Sequence, residues 1–226
     1  MKADTEILSG FYRSVNGFQK TDKKISKTVE RLKIPVYNGR MEKGVNNMIE
    51  AIEGFRLPRY AQIPDVGLYL EQVVRYVNTH LAPLGEPELT SSMVSNYVKQ
   101  GLISSPIKKS YTAEHLARLL FIAVVKPVVP LEGLRMMFSI QEDNYTLQTA
   151  YDYFCDEFEN MLGAAFGIAP AREGLGKTQS DAKDLLRNTI VATVNKVYLD
   201  RYLEGYRRRQ EKETTDEQQA LVQGIE

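Results

Sequence analysis

The sequence predicts an all-α, mainly helical protein. Apolar residues recur at helical spacing in several segments of the chain, which is typical of amphipathic or buried helices. Prolines and glycines separate these segments, and nothing between them predicts the alternating strands and helices of a parallel sheet. With 226 residues the chain can form one large or two small domains. It can bury most of its apolar surface without the help of disulfides or metal ions.

Composition excludes several classes of protein. The single cysteine, Cys155, rules out an intramolecular disulfide and a structural zinc site made of several thiolates. No apolar run approaches the roughly 18 residues of a membrane helix, and the N-terminus lacks the apolar stretch of a secretory signal. We therefore expect a soluble, cytoplasmic protein with no membrane contact.

Charge is distributed unevenly in a chain that is neutral overall. Residues 1–64 contain 12 basic and seven acidic side chains, a net charge of +5, whereas 129–184 contain four basic and 10 acidic ones, a net charge of −6. This distribution suits a nucleic-acid-binding region joined to a body that repels nucleic acid. It equally suits charge complementarity within the molecule. Residues 1–56 form a polar, basic region with one or two helices, and either a DNA-contacting arm or a solvated tail fits it.

Two helices come next. Asp65 is expected to cap a helix that reaches about His80, and the Pro- and Gly-containing residues 82–88 read as a loop. Thr90 or Ser91 can cap a short second helix, which Gly101 ends because glycine enters the left-handed conformation without penalty. Its apolar face is directed to a core. Its outer face is small, polar and cationic, and consists of Ser92, Ser95, Asn96 and Lys99.

A basic loop follows this short helix. It contains Lys108 and Lys109, and Thr112 then caps a further helix with Glu114 in its first turn, where the helix dipole favours a negative charge. Short helix, hydrophobic step, basic loop and capped helix form the pattern of a winged helix-turn-helix with a small wing. Residues 89–128 contain five basic side chains and one acidic one, a local charge of +4.

Additional helices complete the chain. The segment 112–126 is apolar all round and should be central to the core. Pro130 can open the next helix in its first turn, and an amphipathic helix is expected over about 146–162. Asp181 is expected to cap a long helix that reaches about Arg209. We assign 141–210 to a C-terminal helical region for dimerisation or effector binding, and 211–226 to a disordered tail.

Two family resemblances involve the middle of the chain. The segment resembles the winged helix of the MerR family of bacterial regulators at Tyr97, Gly101, Leu102, Tyr111, Thr112, Glu114, His115 and Leu116. It is more similar to domain-of-unknown-function family 1836, itself MerR-like, at Ile63-Pro64-Asp65, Leu68-Tyr69, Gln72-Val73, Leu89-Thr90, Met93, Asn96-Tyr97, Lys99, Lys108-Lys109 and Tyr111. These resemblances imply a winged helix-turn-helix domain over 57–140. The loop 82–88 departs from MerR regulators, in which a tight turn joins the first two helices.

The leading interpretation is a bacterial transcriptional regulator that binds double-stranded DNA as a homodimer, with a small molecule or a protein as a further effector. Ser92, Ser95, Asn96 and Lys99 would enter the major groove, and Lys108 and Lys109 would hold flanking phosphates. An interaction module that keeps the same fold without specific DNA binding is the alternative.

Enzymatic chemistry is not expected. Two histidines and one cysteine on separate elements suggest neither a catalytic triad nor a metal set, so no cofactor or metal is predicted. Residues 171–178 fit a relaxed phosphate-loop pattern, but no buried strand precedes them, as such a loop requires.

Overall fold

This computed structural model describes residues 52–85, 88–172 and 180–223. The part described is mainly helical, as predicted, and contains no β-strand, only two isolated antiparallel bridges. The α-helices are α1 (Leu70–Leu81), α2 (Ser91–Lys99), α3 (Ala113–Val125), α4 (Leu131–Asn144), α5 (Leu147–Ala165) and α6 (Asp181–Gln223). Short 3-10 turns occupy Tyr60–Gln62 and Ala82–Leu84. The helices predicted within 1–51 lie outside the described residues.

Helix α3 is the centre of the core, as its sequence predicted. Its leucines Leu116, Leu119 and Leu120 are completely buried, and so is Ile122. Burying each such side chain contributes roughly 1.5–3 kcal/mol to folding. Pro127, which has no backbone N–H, follows the C-cap residue Lys126 and prevents the helix from continuing. Helices α1, α5 and α6 all contact this helix.

One hydrophobic core serves the whole described region. Phe121 of α3 packs edge-on against Phe154 of α5, with 4.9 Å between ring centroids, and Phe138 of α4 lies 5.7 Å from Phe121. The cluster of buried residues extends without interruption from Ile52 to Val194. The predicted regions 57–140 and 141–210 both contribute side chains to this cluster.

The chain that leads into α1 lies along α5. The backbone amide of Leu57 donates to Glu159 Oε1 at 2.8 Å, and the amide of Tyr60 donates to Asp152 Oδ1 at 2.8 Å. Arg59 donates to both carboxylate oxygens of Glu159, at 2.7 and 2.9 Å. This segment is extended at its ends, as its prolines predict, but it contains the 3-10 turn in the middle.

Two helix starts differ from the sequence prediction. Asp65 does not cap α1, which begins at Leu70; its carboxylate instead faces the first amide of α3, Ala113 N, at 3.4 Å. Leu68 pairs with Tyr111 and so keeps the backbone extended up to Tyr69. At the start of α6 the cap is Ser180, whose Oγ accepts from Lys183 N at 3.2 Å, and not Asp181.

Helix α6 continues to Gln223, beyond the predicted end at Arg209, so 211–223 are helical where a disordered tail was predicted. The polar composition of this stretch suggested fraying, but Glu, Gln, Lys and Ala are all strong helix formers. None of the described helices combines the length and the apolar character that crossing a membrane requires.

Candidate nucleic-acid interface

Helix α2 is delimited by the two signals that its sequence contains. Thr90 Oγ1 accepts a hydrogen bond from Met93 N at 3.2 Å, which caps the start. At the other end Gly101 adopts a φ of +70°, Gly101 N donates to Val98 O and Leu102 N donates to Tyr97 O. This pair of bonds is the Schellman motif, which satisfies the last carbonyls of a helix.

The outer face of α2 is exposed over all four predicted contact residues: Ser92, Ser95, Asn96 and Lys99. Ser95 Oγ donates to Ser91 O at 2.9 Å, and Gln100 Nε2 donates to Asn96 Oδ1 at 3.1 Å. Asn96 thus uses its carbonyl oxygen as an acceptor, while its side chain remains exposed. Gln100 is also exposed and was not predicted as a contact residue; its position four residues after Asn96 was the signal for it.

Asn78 sets the position of α2 relative to α1. Its Nδ2 donates to Leu89 O and its Oδ1 accepts from Leu89 N, both at 2.9 Å, so one side chain satisfies both backbone groups of a residue just before α2. Leu89 is itself buried. The longer connection between the two helices is thus fixed at its end, although it is not a tight turn.

A two-residue turn joins Ile107 to Ser110 and carries Lys108 and Lys109 at its tip. Ser110 N donates to Ile107 O at 2.9 Å, and both lysines have positive φ, 50° and 64°. Two central residues with positive φ define the turn type that suits a twisted hairpin, and it prefers Asn-Gly. A non-glycine residue in this conformation costs about 1–2 kcal/mol.

The base of the hairpin is attached at two places. Leu68 and Tyr111 exchange backbone hydrogen bonds of 2.9 and 2.8 Å. Gly67, with a φ of +72°, lies so close to Ser110 that a Cβ would come within 2.1 Å of Ser110 Oγ. A side chain at position 67 would force the Ser110 hydroxyl to rotate away, and the positive φ would strain any non-glycine residue there.

His115 connects the hairpin arm to the start of α3. The amide of Thr112 donates to His115 Nδ1 at 3.0 Å, which places the proton of the neutral ring on Nε2. Nε2 then lies 3.2 Å from Ser104 O and 3.0 Å from Ser104 Oγ. Because this histidine is buried and fully engaged with the backbone, its role is structural.

The apolar surface beside the lysines was not predicted. Ile107, next to the tip, is 76% exposed, and Val66, next to Gly67, is 83% exposed. Isolated exposed apolar residues are common on proteins. Here they adjoin a strained, basic turn. The position of Ile107 directly before the two lysines was visible in the sequence.

The local positive charge is smaller than the sequence count. Lys99, Lys108 and Lys109 are exposed and form no ion pair with any described residue. Arg118, however, is turned into the body, where it pairs with Glu142 at 2.7 Å and lies over the ring of Phe138. Lys126 is held over the ring of Tyr97, with Nζ 5.6 Å from the centroid. The estimate of +4 counted Arg118 because a sequence does not show how a helix is rotated.

The described residues offer little to metal or nucleophile chemistry. No group of three or more potential metal ligands occurs among 52–85, 88–172 and 180–223. Burial raises the pKa of the Cys155 thiol to about 12, so at neutral pH it stays protonated and unreactive. Most of the phosphate-loop-like segment 171–178, namely 173–178, lies outside the described residues.

A comparison with known families identifies the segment that contains this surface. Residues 58–154 match the family described as Domain of unknown function (DUF1836). The DUF1836 segment includes helices α1 to α4, the hairpin and the first part of α5. It confirms the resemblance to family 1836, while the resemblance to MerR regulators stays a prediction. No curated protein and no solved structure matches the chain.

Proposed function

We propose that this protein is a bacterial transcriptional regulator that binds double-stranded DNA through a MerR-like winged helix-turn-helix. Helices α1 and α2 form the helix-turn-helix and the hairpin 107–110 forms the wing. The exposed face of α2 enters the major groove, where serine and asparagine can read base edges and Lys99 can neutralise a phosphate. Lys108 and Lys109 hold the phosphates beside it.

The observation that carries this proposal is the composition of the hairpin tip. The turn would be more stable with Asn-Gly, yet it has two lysines in the left-handed region. Strain of this kind persists mainly where a function requires it. Two adjacent ammonium groups, exposed and without an ion pair to a described residue, provide what phosphate binding needs.

Selection of bound fragments from a random DNA pool tests the proposal. We expect retained fragments to share a motif that contains an inverted repeat. Asn96→Ala should relax the preference at one base position of each half-site by about 1–3 kcal/mol and leave the salt dependence of binding unchanged. Fragments without a common motif, or no retention at low salt, would favour a protein-interaction module.

The proposal includes a homodimer, in which two copies read the two half-sites. Support comes from an apolar stripe on α6 formed by Leu199, Tyr202, Leu203 and Tyr206, each between 41 and 58% exposed. The spacing of these residues places them on one side of the helix, as in a helix that pairs with another helix. On the same helix Arg201 Nη2 donates to Ala82 O at 3.5 Å and to Pro83 O, so α6 contacts the connection between α1 and α2.

Leu203→Glu should convert the dimer into a monomer, because two carboxylates would face each other in a self-complementary helix pair. Light scattering coupled to size exclusion gives the molar mass directly. Met136→Glu is the matched control, since Met136 is equally exposed at 57% but lies on α4. A wild-type protein that is monomeric, or a Leu203→Glu variant that stays dimeric, would remove the stripe from the proposal.

A further inference from the structure

A cavity of about 220 Å³ lies between α3, α4, α5 and α6. Its walls are mostly apolar and include Phe121, Met137, Phe138, Phe154 and Leu186. An apolar cavity of roughly 150 Å³ is large enough for benzene. The cavity here therefore has room for one or two aromatic rings.

Three polar atoms of side chains that line the cavity are buried without a hydrogen-bond partner among the described residues: Tyr151 Oη, Tyr153 Oη and Gln141 Oε1. Gln141 is oriented by its own amide nitrogen, which donates to Tyr145 O at 2.6 Å. Native proteins rarely leave such atoms unsatisfied, because each lost hydrogen bond is destabilising. Burial and the neighbouring Glu157 carboxylate raise the pKa of Tyr153 to about 12, so its hydroxyl is a donor at neutral pH.

The two basic side chains that line the cavity already interact with other residues of the protein, so the cavity does not require an ionic ligand. Arg118 is engaged by Glu142 at 2.7 Å and by Glu114 at 3.4 Å. Lys183 lies over the ring of Tyr153, with Nζ 5.5 Å from the centroid. A charged ligand would compete with these interactions, whereas a neutral one would not.

We propose that this cavity binds a neutral aromatic molecule of one or two rings that carries one hydroxyl group. Tyr153 donates to the ligand hydroxyl and Gln141 accepts from it, since a hydroxyl group can do both. The rings of the ligand pack against the sides of Phe121, Phe138 and Phe154 that line the cavity. A small number of polar groups in an apolar pocket is the usual design of a small-molecule site.

The ligand acts as the effector of DNA binding, and this role rests on the proposed function. Helix α4 forms one wall of the cavity, and its Arg135 donates from Nη2 to Gln100 O, at the C-terminal end of α2, at 2.9 Å. Helix α3 forms another wall and begins directly after the hairpin arm at Thr112. Occupation of the cavity therefore biases the two elements that support the DNA-binding surface.

Binding of 2-naphthol to the full chain, compared with naphthalene, tests the site. The protein contains no tryptophan, so 2-naphthol fluorescence can be excited where tyrosine does not absorb. We expect saturable binding of both compounds, with 2-naphthol the tighter. Tyr153→Phe should weaken 2-naphthol about fivefold, the equivalent of one hydrogen bond, and leave naphthalene unchanged. Tyr198→Phe, outside the cavity, is the control and should change neither.

Filling the cavity gives a second, independent variant. Ala150→Phe places a ring inside it and should abolish binding of both compounds, whereas Ala164→Phe, on the same helix but away from the cavity, should not. Unfolding midpoints verify that both variants fold. Absence of saturable binding, or retention of it by folded Ala150→Phe, would overturn the site, as would equal weakening of both compounds by Tyr153→Phe.

The effector role of the ligand is tested separately, by measuring DNA affinity with and without saturating 2-naphthol. A severalfold change in DNA affinity supports this role. An unchanged DNA affinity with intact ligand binding overturns the effector role and leaves the binding site standing. If the protein retains no DNA, the proposed function fails while the binding measurements still decide the site.

Discussion

Lys108→Asn combined with Lys109→Gly should make the protein more stable and at the same time weaken its binding to DNA. Asn-Gly is the preferred sequence for a two-residue turn with positive φ at both positions, and these positions have φ values of 50° and 64°. Relief of the strain should raise the free energy of unfolding by about 1–2 kcal/mol. Denaturant titration measures this gain through the midpoint and slope of the transition.

The effect on DNA binding has the opposite sign. Each lysine that displaces one counterion contributes about 0.9 to the slope of log affinity against log salt. Loss of both should therefore reduce the slope by nearly two and the affinity by about 30-fold near physiological salt. Salt titrations of binding to the selected motif provide both quantities.

Replacing the same two lysines by arginine is the matched control. Lys108→Arg with Lys109→Arg keeps two cations in the strained conformation, so affinity and salt slope should remain near the wild-type values. A doubly substituted Asn-Gly protein that is more stable and still binds DNA normally would contradict the role of the hairpin. No general loss of folding can mimic the expected result, because stability and binding move in opposite directions.

The sequence was most informative where the signals are local. Thr90 and Gly101 delimit α2, because a capping hydroxyl and a residue able to adopt positive φ act within a few residues of themselves. The apolar composition of α3 predicted its central position for a similar reason. A helix without a polar side can only be surrounded by other elements.

The sequence was least informative where a side chain meets a distant part of the chain. Asn78 and Leu89 pair across the α1–α2 connection, and Glu159 meets Leu57 and Arg59 about a hundred positions away. No periodicity encodes such contacts. The strain at Lys108 and Lys109 was also invisible, since local preference alone would not place lysines in a turn of this type.

Net charge and composition led to a wrong prediction in two places, Arg118 and the stretch 211–223. Arg118 was counted with the basic surface, but its guanidinium is only 10% exposed and faces Glu142. The stretch 211–223 was assigned to a disordered tail because it is polar, although residues of this kind also favour helices. In both cases the property that decides the outcome is helix orientation or helix propensity, and not net charge.

Glu159→Gln should cause a large loss of stability, because it removes the carboxylate that holds the segment before α1 to α5. Its side chain is only 8% exposed and receives hydrogen bonds from the amide of Leu57 and from two nitrogens of Arg59. These bonds raise the pKa of Arg59 further above its usual value, because they favour the charged guanidinium. The neutral amide can still accept from Leu57, but it leaves the partly buried Arg59 cation with only the exposed Asp156 as counter-charge.

We expect Glu159→Gln to lower the free energy of unfolding by about 2–3 kcal/mol, less than for a fully buried pair because Arg59 is 30% exposed. Asp156→Asn is the matched control: Asp156 binds the same arginine at 2.7 Å and lies on the same helix, but it is 52% exposed, so its loss should cost less than about 1 kcal/mol. Denaturant unfolding of both variants, with Arg59→Gln to complete a double-mutant cycle, measures the coupling. Equal effects of the two substitutions would mean that burial does not strengthen this pair.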